Sequence, residues 1–176
     1  MLLWSLFLIL LFCCAIPFSQ TQPAFAANPN HIRQLQNTHL CARCDLSYAP
    51  LALANFAGGN LIAANAQGAN LTGSNLSRMI MSRIDLSYSN LTNTNLSEAK
   101  MILANLSRAK LRRTDLTKAN LESANLKEAV LDRVRLDAAN LTMADLQGAK
   151  LIKTSIESAR LCQTTLPDGS ISNRDC

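Results

Sequence analysis

Apolar and polar positions recur every five residues from Cys44 to Gln163 without one insertion. Ala-Asn-Leu-Ser-Arg (104–108), Ala-Asn-Leu-Lys-Glu (124–128) and Ala-Asp-Leu-Gln-Gly (144–148) show the unit, with Leu as its centre. Centres fall at 24 positions from Leu46 to Leu161, and 19 of them are Leu. The other five are Phe56, Ala66, Met81, Met101 and Ile156. Two residues before the centre stands Ala in 14 units, and one residue before it stands Asn or Asp in 15.

The pattern predicts a strand and a turn in each unit. Positions two apart on extended chain share a face, so the small residue and the Leu point inward and the Asn or Asp points out. The next small residue lies three positions beyond the Leu, which extended chain would place outside. The chain therefore turns at the two residues after each centre. A repeat that always keeps its apolar side on one hand closes into a tube, and a five-residue period drifts too fast around a 3.6-residue turn to be a helix. Met79, Ile84 and Val134 are oversized for the inward small position. The methyl-sized centre Ala66 reads as volume compensation for Ile84.

Two segments precede the repeat. Residues 1–18 hold no charged side chain, and Ala24-Phe25-Ala26 supplies small residues at a cleavage site, so 1–26 reads as a signal peptide. Its n-region has no Lys or Arg. The apolar run is shorter than the roughly 20 residues of a spanning helix, so no stable membrane insertion is expected after cleavage. Ile32, Leu35 and Leu40 then suggest a short amphipathic helix opening at Asn28-Pro29-Asn30.

Composition agrees with a repetitive interior. Hydrophobic residues make up 48% of the 176, but aromatics only 5%, which is a Leu and Ala filling rather than a core of mixed shapes.

The tandem A(N/D)LXX units resemble the pentapeptide-repeat family over about residues 41–176. The resemblance implies an all-β solenoid, a right-handed quadrilateral β-helix with four units per coil and about six coils. At a strand spacing of ~4.8 Å such a tower stands about 29 Å tall. The implied division is an N-terminal capping segment with a short helix at 27–43, the β-helix at 44–163 and a C-terminal cap at 164–176. The run from Cys162 to Cys176 resembles the terminus of exported cyanobacterial members. In that tower Cys41 and Cys44 sit at one end and Cys162 and Cys176 at the other. A disulfide needs Cα atoms within about 7 Å, so Cys41–Cys44 and Cys162–Cys176 are the expected pairs, the second closing the cap.

Little of the sequence suggests catalysis. Cys41-Ala42-Arg43-Cys44 is a CxxC, which allows a redox site, although the helix N-terminus and βαβ setting of such sites are missing. His31, His39, Cys41 and Cys44 allow a zinc set, against which oxidation outside the cytosol competes. Asp168, Ser170, Ser172 and Asp175 lack the spacing and the Glu of a calcium loop. The Asn-Leu-Ser/Thr triplets are by-products of the repeat. Both histidines lie in the cap segment, so no Ser-His-Asp or Cys-His arrangement forms. The expectation is no enzyme, no metal, no cofactor and no small-molecule substrate.

Charge sorts unevenly when the surface is divided by the implied 20-residue coil. Faces centred on residues 46, 51, 56 and 61 carry −2, +5, −1 and +2, against +5 for the whole chain. The second face holds Lys110, Arg112, Arg113, Arg133, Lys150 and Lys153 against Asp132 alone. Arg113, Arg133 and Lys153 fall in one column. This face is a candidate site for an anion or an acidic protein. The opposite face carries Ile62, Ile80, Ile102 and Leu103 at outward positions, a candidate apolar contact. Together these features point to an exported, non-enzymatic interaction or scaffold module of the periplasm or thylakoid lumen, with a protein partner. The alternative is a redox or metal module on the cap CxxC. A DNA mimic directed at gyrase, known in the family, is disfavoured by the basic charge and the leader. Nucleic acid is not expected, because no stacking aromatic stands beside the basic face.

Overall fold

The computed structural model describes residues 27–176; the signal peptide read at 1–26 lies outside them. Parallel bridges join outward positions to those twenty residues on, from Leu40↔Asn60 to Asp145↔Thr165, with a break between Arg135 and Ser155. Twenty residues hold four units, so the chain winds four units to a turn and each unit stacks on the one a turn earlier. The molecule is a repeat β-solenoid.

Local chemistry sets the corners. The N–H three residues past a centre returns to the centre's carbonyl, as from Ala49 to Leu46 and from Ala124 to Leu121, both at 3.0 Å. The residue two past the centre is left-handed, with φ 58° at Tyr48 and at Arg108. A three-residue return with a left-handed third residue is a type II turn. Side chains other than Gly cost ~1 kcal/mol or more in that conformation. The coil ladder offsets this, because the strained residue also donates to the next turn, as Tyr48 N–H does to Gln67 O at 2.7 Å.

The outward Asn or Asp braces the same corner. Its Oδ1 accepts the N–H two residues on: Asp85 from Ser87 at 2.8 Å, Asn105 from Ser107 at 3.2 Å and Asn140 from Thr142 at 3.1 Å. The amides also stack between turns, with Asn105 Nδ2 donating to Asp85 at 3.1 Å and Asn125 Nδ2 to Asn105 at 3.3 Å.

The interior is the predicted column of small residues and Leu, and Leu46, Leu86, Leu106 and Leu116 are fully buried. Met79, Ile84 and Val134 are buried as well. Where Thr replaces Ala inside, its hydroxyl needs a partner. Thr94, Thr114 and Thr164 donate to the carbonyls of Leu71, Leu91 and Leu141 at 2.8, 2.7 and 2.7 Å.

At the first end, helix α1 spans Pro29–Thr38 with Asn28 as N-cap and a left-handed His39 as C-cap. Leu35 is its fully buried residue. Leu40 does not belong to the helix: it lies beyond the cap in an outward position and is 55% exposed. Cys41 fills a centre position, since its N–H donates to Asn60 O at 2.8 Å as the Leu centres do. The ladder therefore starts at Leu40, ahead of the boundary drawn at 44, because a Cys centre escapes a pattern keyed on Leu. At the other end it runs past 163 to Thr165, where Leu146 N–H donates to Thr165 O at 2.9 Å.

Parallel strands of three residues form on the face where the turn bond opens: β1 (Lys110–Arg112), β2 (Val130–Asp132) and β3 (Lys150–Ile152), in the order β1-β2-β3. β4 (Thr164–Thr165) pairs antiparallel with β5 (Ile171–Ser172) above the last turn. Disulfides join Cys41 to Cys44 and Cys162 to Cys176, with Cα separations of 5.3 and 4.8 Å. Among the described residues no helix is long and apolar enough to cross a membrane.

Candidate functional site

The sheet β1-β2-β3 is also the basic face. Its register sets Lys110 beside Val130 and Lys150 beyond it, and Arg112 beside Asp132. Lys110, Arg112, Arg113, Arg133, Lys150 and Lys153 are all exposed. Arg112 pairs with Asp132 at 3.1 Å, so it is not a free cation. Among the described residues the other five make no ion pair. Arg113, Arg133 and Lys153 take the left-handed corner, with φ 51°, 56° and 48°, and stack on successive turns.

The same column position on other faces behaves differently. Arg78 pairs with Glu98 one turn later at 3.3 Å, and Arg108 with Glu128 at 2.9 Å. The bond to Glu128, and then one to Tyr88 Oη, hold the Arg108 guanidinium above its ordinary range, and Glu128 is held low in return. Arg108 also stands 5.6 Å over the Tyr88 ring. Arg78 and Arg108 thus meet an acid across the turn. The corner cations Arg43, Arg83 and Lys118 make no ion pair among the described residues, but none has a cation at the same corner of an adjacent turn, whereas Arg113–Arg133–Lys153 offers three cations in a row. A twenty-residue offset in the sequence exposes these Arg–Glu pairs, but only once the coil length is known.

On the opposite face Ile62 is 36% and Leu103 50% exposed, with Ile80 and Ile102 half-buried. Met143, 54% exposed, lies two turns above Leu103 in its column and was missed by the sequence reading. Helix α1 caps the end of the solenoid.

The cap motif is closed. Cys41 and Cys44 are 0% and 4% exposed, and their sulfurs bind each other. His31 Nδ1 accepts the Asp45 N–H at 3.0 Å, and the His39 ring meets Phe56 edge-on at 5.7 Å. Among the described residues no group of three or more His, Cys, Asp or Glu is placed to hold a metal ion. Asp168 braces a turn, accepting the Ser170 N–H at 2.9 Å.

The sequence profile described as pentapeptide repeats matches in eight copies, over residues 40–78, 80–117, 114–151 and 129–167. The chain belongs to the pentapeptide-repeat family. Among solved structures, this pentapeptide-repeat protein is similar to one from the Arabidopsis thaliana thylakoid lumen, with 26% identity, a TM-score of 0.55 and 56% of this chain matched to 68% of that one. It is similar to HetL, involved in heterocyst differentiation regulation in Nostoc sp. strain PCC 7120, with 35% identity, a TM-score of 0.37 and coverage of 76% and 66%. Rfr23 of Cyanothece 51142 shares 29% identity, with a TM-score of 0.47 and coverage of 78% and 95%. No curated protein matches.

Proposed function

We propose that this pentapeptide-repeat protein is an exported, non-enzymatic interaction module that engages an acidic protein partner through Lys110, Arg113, Arg133, Lys150 and Lys153. The unneutralised column Arg113–Arg133–Lys153 carries the reading. Like charges on adjacent turns repel by less than about 1 kcal/mol per pair in water, a cost that the Arg–Glu columns on the other faces avoid. An acidic partner removes that cost and gains a complementary surface. Two disulfides and a relative from the thylakoid lumen support a setting in the lumen or periplasm. Family members are mostly structural or interaction modules, which supports a role without chemistry.

The test is capture from the exported fraction of the source organism by two baits made from the full chain. One is unaltered. The other carries Arg113→Glu, Arg133→Glu and Lys153→Glu, with circular dichroism to check its fold. Capture by the first alone supports the reading. Equal capture moves the contact to Ile62, Ile80, Ile102 and Leu103, and capture by neither sinks the basic-face proposal.

A further inference from the structure

The two disulfides sit in opposite surroundings. Cys41 and Cys44 both point inward, beneath α1. Cys41 Sγ lies 3.3 Å from the His31 carbonyl, and the cap is tied down by Asn28 N–H to Asp45 O at 3.2 Å and by Asp45 N–H to His31 Nδ1. Thiol–disulfide exchange needs an attacking thiolate to reach a sulfur, and burial denies that. Cys162 is half-buried at an outward position, and Cys176 is exposed.

What the second disulfide holds is a polar strap. Residues 173–176 are all exposed, so they anchor no side chain in the core. They cover the upper edge of the last turn. Asp175 N–H donates to Leu161 O at 3.0 Å, and Leu161 N–H to Asp175 Oδ2 at 2.7 Å. Gln163 N–H donates to Asn173 Oδ1 at 3.3 Å, and the Arg174 guanidinium donates to the Ala159 carbonyl. The Gln163 bond is exposed and those at Leu161 and Ala159 are part-buried, but every strap residue that makes them is exposed to competing water, so the covalent link is what keeps four residues ordered on the edge.

The edge beneath is already the least regular part of the solenoid. Ala138 N–H donates to Ser158 O at 3.1 Å, where the register of the repeat calls for the Glu157 carbonyl. An open recess of about 380 Å³ lies there, walled by Ser158 and Arg160 on one side and by Arg174 and Asp175 of the strap on the other.

We infer that Cys162–Cys176 is a site of thiol–disulfide exchange whose reduction by a dithiol releases the strap and uncovers the last-turn edge at 159–163. One thiolate of the dithiol attacks a sulfur of the pair, the S–S bond breaks and the other cysteine leaves as a thiolate. The second thiol of the reductant then resolves the mixed disulfide. Two electrons and two protons pass to the protein, which holds two thiols, and the reductant leaves as a disulfide. The freed edge presents the Leu161 and Gln163 N–H groups to an incoming strand. This inference is independent of the basic face. It moves redox chemistry from the CxxC to the opposite end of the solenoid.

The experiment treats the oxidised full chain with a dithiothreitol series. Freed thiols are alkylated and mapped by mass spectrometry, and hydrogen exchange is followed at the Leu161 and Gln163 amides. Cys162 and Cys176 are expected to label together, at least tenfold faster than Cys41 and Cys44, with circular dichroism unchanged and both amides exchanging at least tenfold faster. The doubly substituted Cys162→Ser, Cys176→Ser chain should show the same fast amides without reductant. Simultaneous opening of both disulfides, prior opening of Cys41–Cys44, or amides that stay protected in the reduced or substituted chain would overturn the inference.

Discussion

Met79 fits the interior because Gly59, one turn below it in the same column, has no side chain. A Cβ at Gly59 would lie 3.0 Å from Met79 Cε and 2.4 Å from the His39 carbonyl oxygen. Gly59→Ala therefore forces both the core and the cap to shift. The expected loss is about 1–3 kcal/mol, the usual cost of overpacking, read as a lower urea midpoint. Met79→Ala in the same chain relieves one clash, leaves the one with the His39 carbonyl and opens a cavity of its own at a fully buried position, so it should not raise the urea midpoint.

Buried hydroxyls make a second test. Thr114 is 1% exposed and donates to Leu91 O at 2.7 Å. Thr114→Val keeps the shape and removes the donor, which should cost ~1 kcal/mol in urea unfolding. Thr114→Ser retains the bond, so a loss as large as that of Val would show that the methyl group matters rather than the hydroxyl.

The basic column should respond to a single acid. Arg133→Glu recreates between Arg113 and Lys153 the arrangement seen at Arg78–Glu98 and Arg108–Glu128. Thermal unfolding at low ionic strength should show a gain of about 0.5 kcal/mol that fades in high salt. The same substitution should weaken capture of an acidic partner, separating stability from binding.

Acid should loosen the C-terminal strap. A side-chain hydrogen bond from Arg174, then the Leu161 N–H, holds the Asp175 carboxyl below its ordinary 3.8. A lowered carboxylate stabilises the strap above that ordinary value, and the contribution disappears as the pH falls through the lowered one. The Leu161 amide shift, followed by NMR as the pH falls, should titrate with a midpoint below 3.8. A midpoint at or above it would mean that Asp175 is not held by these contacts.

Much was legible because the repeat is a geometric statement. Alternation placed Ala and Leu inside and Asn outside, and the odd spacing to the next Ala placed the turns after Leu, where the left-handed residues stand. The role of the Asn was not legible. A period of five shows that the residue faces out, but not that its Oδ1 holds the N–H two residues on. Leu40 was misassigned to the helix because an apolar side chain in an outward slot looks the same in sequence as one on a helical face.

By itself the sequence determined the repeat, its turns and its interior, because each depends on the local period of five. The excess of cations on one face needed the twenty-residue coil, which the family resemblance implied and the parallel bridges display. Tertiary structure alone decided which cations are neutralised. Arg112 meets Asp132 and Arg108 meets Glu128 only because the coil brings residues twenty apart into contact. It also decided which disulfide a reductant can reach. Both pairs close short loops, and only the packing of α1 over Cys41, against the bare polar strap at Cys176, sets one inside and the other at the surface.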